Sequence, residues 1–256
     1  MKIFKFIVSF LLILGIFVLL IWAGIKSNNK TCTDISIVIR GVSEPALLSE
    51  SDILSILKQN NIKWKEEQLK EIDCAGINKI LSKENYIESV DKVHFLGTKL
   101  QIEVTLHKIL LEIEPQNGQK FLLDMDGIYL PYSPNIGNDV IVATGKIPYS
   151  FHHKKKIIED DTELHELYTV AVLIKQNPFY AELFKKMIVN DKHEIILCPS
   201  VGNLSVLLGT AEVAEEKLET LKYMYDDVLP YMDENKYAQL DVRFAHRIVA
   251  TKKNKS

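Results

Sequence analysis

The chain has 256 residues, 47% of them apolar and 25% charged, with a formal charge of −3 and three cysteines. Those proportions describe an ordinary globular protein and exclude a disordered, collagen-like or disulfide-scaffold chain. A pI near 6.2 leaves no basic footprint for nucleic acid.

The mean hydropathy of +0.02 averages two unlike parts. Residues 6–25 are uncharged and interrupted only by Ser9, Gly15 and Gly24. At ~1.5 Å per residue, twenty residues span ~30 Å, the thickness of a bilayer's hydrocarbon core. No second run of that kind follows, so the pattern predicts one transmembrane helix rather than a transporter or channel. A cleaved signal has an apolar core of ~7–15 residues followed by small residues. This run is longer, carries Ile21 and Trp22 where small residues would cluster, and has Ile25 where a lipoprotein signal needs cysteine. A retained anchor is expected. Lys2 and Lys5 mark residues 1–5 as a cytoplasmic tail, too short to leave the globular part anywhere but across the membrane. Taking Lys2, Lys5 and Lys26 from the 31 basic residues leaves 28 against 34 acids, so the exported part carries about −6.

Asp34–Arg40 alternates, with Ile35, Ile37 and Ile39 on one face of a half-buried strand. Ser49 and Asp52 read as a capping box for a short helix with Ile53, Ile56 and Leu57 inward. Ile77, Ile80 and Leu81 mark a second helix. A strand through Val93 and Phe95, a turn at Gly97-Thr98 and a longer strand over 100–107 follow. Strand, helix, helix, strand, strand suits two helices on one face of a three-stranded sheet.

From about Ile109 short strands and turns take over. Asn117-Gly118 and Asp126-Gly127 are hairpin signals after strands 111–114 and 121–123. Pro131, Pro134 and Gly137 predict a loop and 140–144 a strand. Residues 162–177 predict an amphipathic helix stopped by Asn177-Pro178. Strands are expected at 188–189, 195–198 and 204–208, a helix at 211–229, and a last alternating strand at 237–244, before a break at His246-Arg247.

Chemical motifs are sparse. Asp124-Met-Asp126-Gly127 puts glycine fourth and Ile128 fifth, which fails an EF-hand loop, and reads as turn chemistry. His165-Glu166 lacks the second histidine of a zinc-protease helix, because Thr169 stands there. His152-His153 has no carboxylate or cysteine nearby in sequence, and Gly202-Asn-Leu-Ser205 lacks the spacing of a nucleophile elbow. Neither enzymatic activity, cofactor, metal site nor small-molecule substrate is expected. Cys32, Cys74 and Cys198 form no Cys-x-x-Cys pair. A Cys32–Cys74 bridge and isolated core thiols both fit. The final strand, with Gln239, Asp241 and Arg243 on a polar face, reads equally as an internal strand and as an open edge that pairs an incoming strand.

The set resembles the FtsQ/DivIB family of bacterial cell-division proteins. The resemblance runs from Ile35-Ser-Ile-Val-Ile-Arg-Gly41 through Ser51-Asp-Ile-Leu54, 86–93 and 100–106 to Phe121-Leu-Leu-Asp-Met-Asp-Gly127. It continues through Leu197-Cys-Pro199, Val206-Leu-Leu-Gly209 and Lys217-Leu218 to Leu240-Asp-Val-Arg-Phe244. It implies an α+β chain: one transmembrane helix (6–25), a small βααββ POTRA-like domain (33–108), a larger antiparallel β-rich domain with covering helices (109–251), and a disordered tail (252–256). It implies a bitopic scaffold of the cell inner membrane with periplasmic domains, which binds FtsB/DivIC-like and FtsL-like partners and helps control septal peptidoglycan synthesis. The partner strand would add to the edge formed by Tyr237, Leu240, Asp241, Val242, Arg243 and Phe244, with Arg243 pairing a partner acid and Phe244 packing on it. Where the family has tyrosine, Phe244 keeps the ring without the hydroxyl. The alternatives are a POTRA-type chaperone or docking protein for exported polypeptides, and an exported hydrolase with a dispersed site.

Overall fold

The faultless alternation of residues 100–106 makes a central strand. In the computed structural model it is β3 (Lys99–Leu106), with β1 (Asp34–Arg40) parallel on one side and β2 (Ile87–Leu96) antiparallel on the other. The structure describes residues 13–18, 30–41, 46–116, 118–137, 140–148, 162–231, 236–244 and 246–253. The chain divides into two units: Met1–Arg40 with Leu48–Leu106, and Gly41–Leu47 with His107–Ser256. The predicted span at 6–25 lies outside the described residues except for 13–18, which are helical and exposed. Among the described residues no helix is long and apolar enough to cross a membrane. The tail at 1–5 and the histidine pair at 152–153 also lie outside them.

In the first unit, α1 (Glu50–Gln59) starts at the expected capping box: Ser49 Oγ accepts from Asp52 N, and the Asp52 carboxylate accepts from Ser49 N at 2.8 Å. These bonds to Ser49 hold the Asp52 carboxyl below the usual range. A 3-10 turn (Leu69–Glu71) leads to α2 (Cys74–Leu81), whose first turn is capped when the Asp73 carboxylate accepts from Gly76 N. Ile53, Leu57, Ile77 and Leu81 are buried, as are Leu100, Ile102, Val104 and Leu106 of β3. The other face of β3 is polar. Arg40 reaches Glu103 at 2.7 Å and Asp91 at 3.6 Å, and Thr105 Oγ1 donates to Asp91. Glu103 is therefore buried on a nominally wet face, but paired.

The second unit holds a nine-stranded sheet in the order β12-β11-β10-β9-β8-β7-β4-β5-β6. Its strands are β4 (Ile109–Pro115), β5 (Phe121–Asp124), β6 (Tyr129–Pro131), β7 (Ile141–Gly145), β8 (Phe184–Val189), β9 (Ile195–Pro199), β10 (Ser205–Gly209), β11 (Tyr237–Asp241) and β12 (Val249–Lys252). The expectation of an antiparallel sheet is corrected: β4 and β7, β7 and β8, and β10 and β11 pair in parallel. A parallel neighbour needs a crossover. The chain supplies one as α3 (Thr162–Gln176) and α4 (Pro178–Leu183) between β7 and β8, and another as α5 (Ala214–Tyr223) between β10 and β11. Leu164, Leu167, Val170, Ala171 and Ile174 of α3 enter one core with strand residues such as Ile113, Phe121, Met187 and Leu208.

Local chemistry explains the other departures. Asn177-Pro178 ends α3 but also starts α4, because Asn177 Oδ1 accepts from Phe179 N and proline suits a first helical position. The predicted helix 211–229 begins late, at Ala214, and after Tyr223 widens into a π-turn over Met224–Val228. Pro131, expected in a loop, ends the strand Tyr129–Pro131 that pairs with β5. The predicted strand 237–244 stops at Asp241, and Lys252 ends β12 while Lys253 N donates to Lys236 O.

Gly145 ends β7 at φ +109°, where an added Cβ would stand 2.2 Å from Val189 O. Gly145→Ala is therefore expected to cost at least about 2 kcal/mol through backbone strain and displacement of β8. Both tryptophans lie outside this unit, so hydrogen exchange of peptides covering β7 and β8 is the readout. Unchanged protection would contradict the close approach.

Candidate functional site

The six residues assigned to an exposed edge are adjacent but do not form one. Leu240 is fully buried and Val242 is 1% exposed, both inside the main core. Tyr237 packs half-buried against that core. β11 is paired on both sides, in parallel to β10 (Val206 opposite Leu240) and antiparallel to β12 (Ala250 opposite Leu240). Val242 N continues the inner ladder by donating to Leu207 O at 3.0 Å. The edge expected at Tyr237–Phe244 is thus corrected: residues 249–252 return as a further strand and occupy it.

Arg243 is likewise committed within the molecule. Its Nε and Nη2 donate to Asp241, and Nη1 donates to Glu194 Oε1 at 2.8 Å. Its stem runs over Gly209, where an added Cβ would meet Arg243 Cγ at 2.9 Å. Glycine at the end of β10 thus leaves room for the arginine to cross from β11 to the turn before β9. The bonds from Arg243 hold the Asp241 carboxyl below its usual range. Glu194 is lowered first by the Asn190 amide and then by Arg243. The Phe244 ring, 53% exposed, lies close to two guanidinium groups, with Arg247 Cζ 4.8 Å and Arg243 Cζ 5.9 Å from its centre.

β12 now ends the sheet. Lys253 N faces β11, and backbone groups alternate sides along an antiparallel strand. Residues 249 and 251 therefore face β11, while Ala250 and Lys252 turn their N–H and C=O groups outward. No strand lies beyond β12 among the described residues. The turn into β12 sits beside α5, since His246 Nε2 is 3.7 Å from Glu216 Oε2. Tyr223, two turns along α5 from Glu216, is 63% exposed.

Other motifs resolve into structural bonds. Asp124 Oδ1 accepts from Asp126 N and Ile128 N, and its Oδ2 meets His107 Nδ1 at 2.6 Å, so the carboxylate shapes the β5–β6 turn. Glu166 accepts from Ala211 N. Lys217 is 3% exposed and donates to Thr210 O; burial lowers its pKa, opposed by Glu212 and Glu166. A buried lysine was not predicted, since nothing in its local sequence distinguishes it from the exposed lysines. A cleft of about 630 Å³ opens at the carboxyl ends of β4, β7 and β8. Its Lys120 pairs with Glu112 and Glu114 and its Lys146 with Asp191, which cancels the charge a ligand would meet. Among the described residues no three His, Cys, Asp or Glu side chains gather as a metal group.

A small βααββ unit followed by a large mixed sheet with covering helices defines a two-domain α+β protein. The POTRA-like domain family matches residues 30–105, and the family described as FtsQ/DivIB, C-terminal related, matches residues 110–251. The chain belongs to the FtsQ/DivIB family, whose members are non-enzymatic, membrane-anchored division proteins. No curated protein matches the chain.

Carboxylates with depressed pKa values stabilise the fold above their unfolded values, about 4. That contribution disappears as pH falls through the lower folded values. Arg243→Ala is expected to lower the unfolding midpoint at neutral pH, and its difference from the parent should shrink below about pH 4. A difference that stays constant down to pH 2 would remove the Arg243 carboxylate clamp.

Proposed function

We propose that this protein is a division scaffold held in the cell inner membrane by its N-terminal segment. Its periplasmic domains bind FtsB/DivIC-like and FtsL-like partners, and so help control septal peptidoglycan synthesis. The observation that carries the reading is the outward backbone of Ala250 and Lys252 at the end of the nine-stranded sheet. An incoming strand satisfies those groups by the same ladder that joins β11 to β12.

The surroundings suit a particular occupant. Arg247, Lys252 and Lys253 put positive charge along the rim, which favours an acidic partner segment. Phe244 offers an exposed ring at the turn, and Glu216 of α5 lies beside that turn with Tyr223 exposed on the same helix. Arg243 does not contact the partner in this arrangement. Its bonds to Asp241 and Glu194 set the turn from which β12 starts.

Proline is tolerated on an edge strand where the amide faces solvent. Ala250→Pro with Lys252→Pro therefore removes both outward donors and leaves the β11 ladder intact. Val242→Pro, by contrast, breaks an internal bond and should destabilise the fold by about 3 kcal/mol. Depletion of the protein is expected to give filaments without septa, which the parent chain rescues and the double-proline variant at equal abundance does not. Full rescue by that variant would remove β12 as the docking strand. Normal septation on depletion, or an outer-membrane assembly defect in its place, would overturn the division reading.

A further inference from the structure

Two of the three thiols belong to the first unit; both are free in this structure, and Cys32 lies near enough to Cys74 to act on its charge. Cys32 lies in the short strap that enters the unit ahead of β1, and it is fully buried. Backbone bonds fix the strap against residues 66–69: Cys32 N donates to Glu67 O at 2.8 Å, Glu66 N to Cys32 O at 2.9 Å, and Leu69 N to Lys30 O at 3.0 Å. The chain then makes the 3-10 turn Leu69–Glu71, buries Ile72, and begins α2 at Cys74. Cys74, Ile77 and Leu81 are spaced i, i+3 and i+7, and the last two are fully buried, so Cys74 stands on the stripe of α2 that faces the core. It keeps partial exposure while Cys32 has none.

We propose that Cys32 and Cys74 are a modification site, closing as a disulfide that clasps the entering strap to the first turn of α2. A low-molecular-weight or protein disulfide acts as oxidant. The accessible Cys74 thiolate attacks it, forming a mixed disulfide and expelling one thiolate. The Cys32 thiolate then attacks the Cys74 sulfur and expels the second. Two thiols lose their protons to the two departing thiolates, and the oxidant's disulfide becomes two thiols. The bridge closes a loop of about 40 residues and pins the point where the N-terminal segment joins the folded unit.

The local electrostatics add a rate expectation. Burial, the neighbouring Asp73 carboxylate and the Cys32 thiol all push the Cys74 thiol above its ordinary pKa. Closure is therefore slow at neutral pH and accelerates as pH rises, since the thiolate is the attacking form. Cys198 belongs to the other unit and serves as an internal control.

The test uses the full-length protein in detergent, treated with oxidised glutathione, denatured with an alkylating agent and mapped by peptide mass. The expected product joins the peptides containing Cys32 and Cys74, with Cys198 alkylated or separately glutathionylated. It forms faster at pH 9 than at pH 7 and raises the unfolding midpoint of the first unit by about 10 °C or more. Cys198→Ser should leave the bridge unchanged, whereas Cys32→Ser and Cys74→Ser should each remove it together with the thermal shift. Alkylation of both Cys32 and Cys74, a mixed disulfide persisting on Cys74, or a bridge to Cys198 would overturn the proposal. Occurrence of the bridge in the cell rests on the export reading. Alkylation in intact cells tests that separately: a protein that bridges in vitro but is fully thiol in vivo counts against the compartment, not the site.

Discussion

A β-sheet can leave backbone groups unpaired only at its two rims, and that requirement governs the larger unit. Nine strands share their N–H and C=O groups internally, so recognition by strand addition is confined to the outer sides of β12 and β6. β6 is three residues long and ends in Pro131, which shortens that rim. β12 is also short, but it directs two residues' backbone outward beside an exposed ring and a row of basic side chains. The position of the last strand thus decides where the carboxyl-terminal rim of the larger sheet lies.

The interactions that hold β12 in place lie one layer in. Leu240 and Val242 are core residues, and Arg243 fills the space left by Gly209 to reach Asp241 and Glu194. An Asp-x-Arg-aromatic pattern is therefore divided by physical role. The aspartate and arginine stabilise the turn, the intervening valine packs, and only the aromatic side chain remains largely in solvent. The same residue types that look like a recognition motif in a linear sequence act here as internal support for the end of the sheet.

The smaller unit was largely legible in advance. Its helices carry their own start signals at Ser49 and Asp73, its central strand alternates without interruption, and its segments are close in sequence. Buried carboxylates were less legible. Glu103 and Asp124 fall on polar positions of their strands, and their burial depends on Arg40 and on His107 together with two turn amides. Lys217 is the same case on a helix, with its partner, Thr210 O, contributed by the loop after β10. Local periodicity carries no information about a partner supplied by backbone elsewhere.

Taken alone, the order of residues determined the two-unit α+β plan, most element positions, the turn chemistry at Asp124–Gly127 and the likeness to the FtsQ/DivIB family. Only the tertiary structure decided which strands are neighbours. Period-two alternation reports which face of a strand is buried, but it is the same for a parallel pair, an antiparallel pair and a rim. Residues 249–252 are too few to declare themselves as a strand. They become one because β11 presents a complementary row of hydrogen-bonding groups, and that late pairing moves the rim of the sheet outward by one strand.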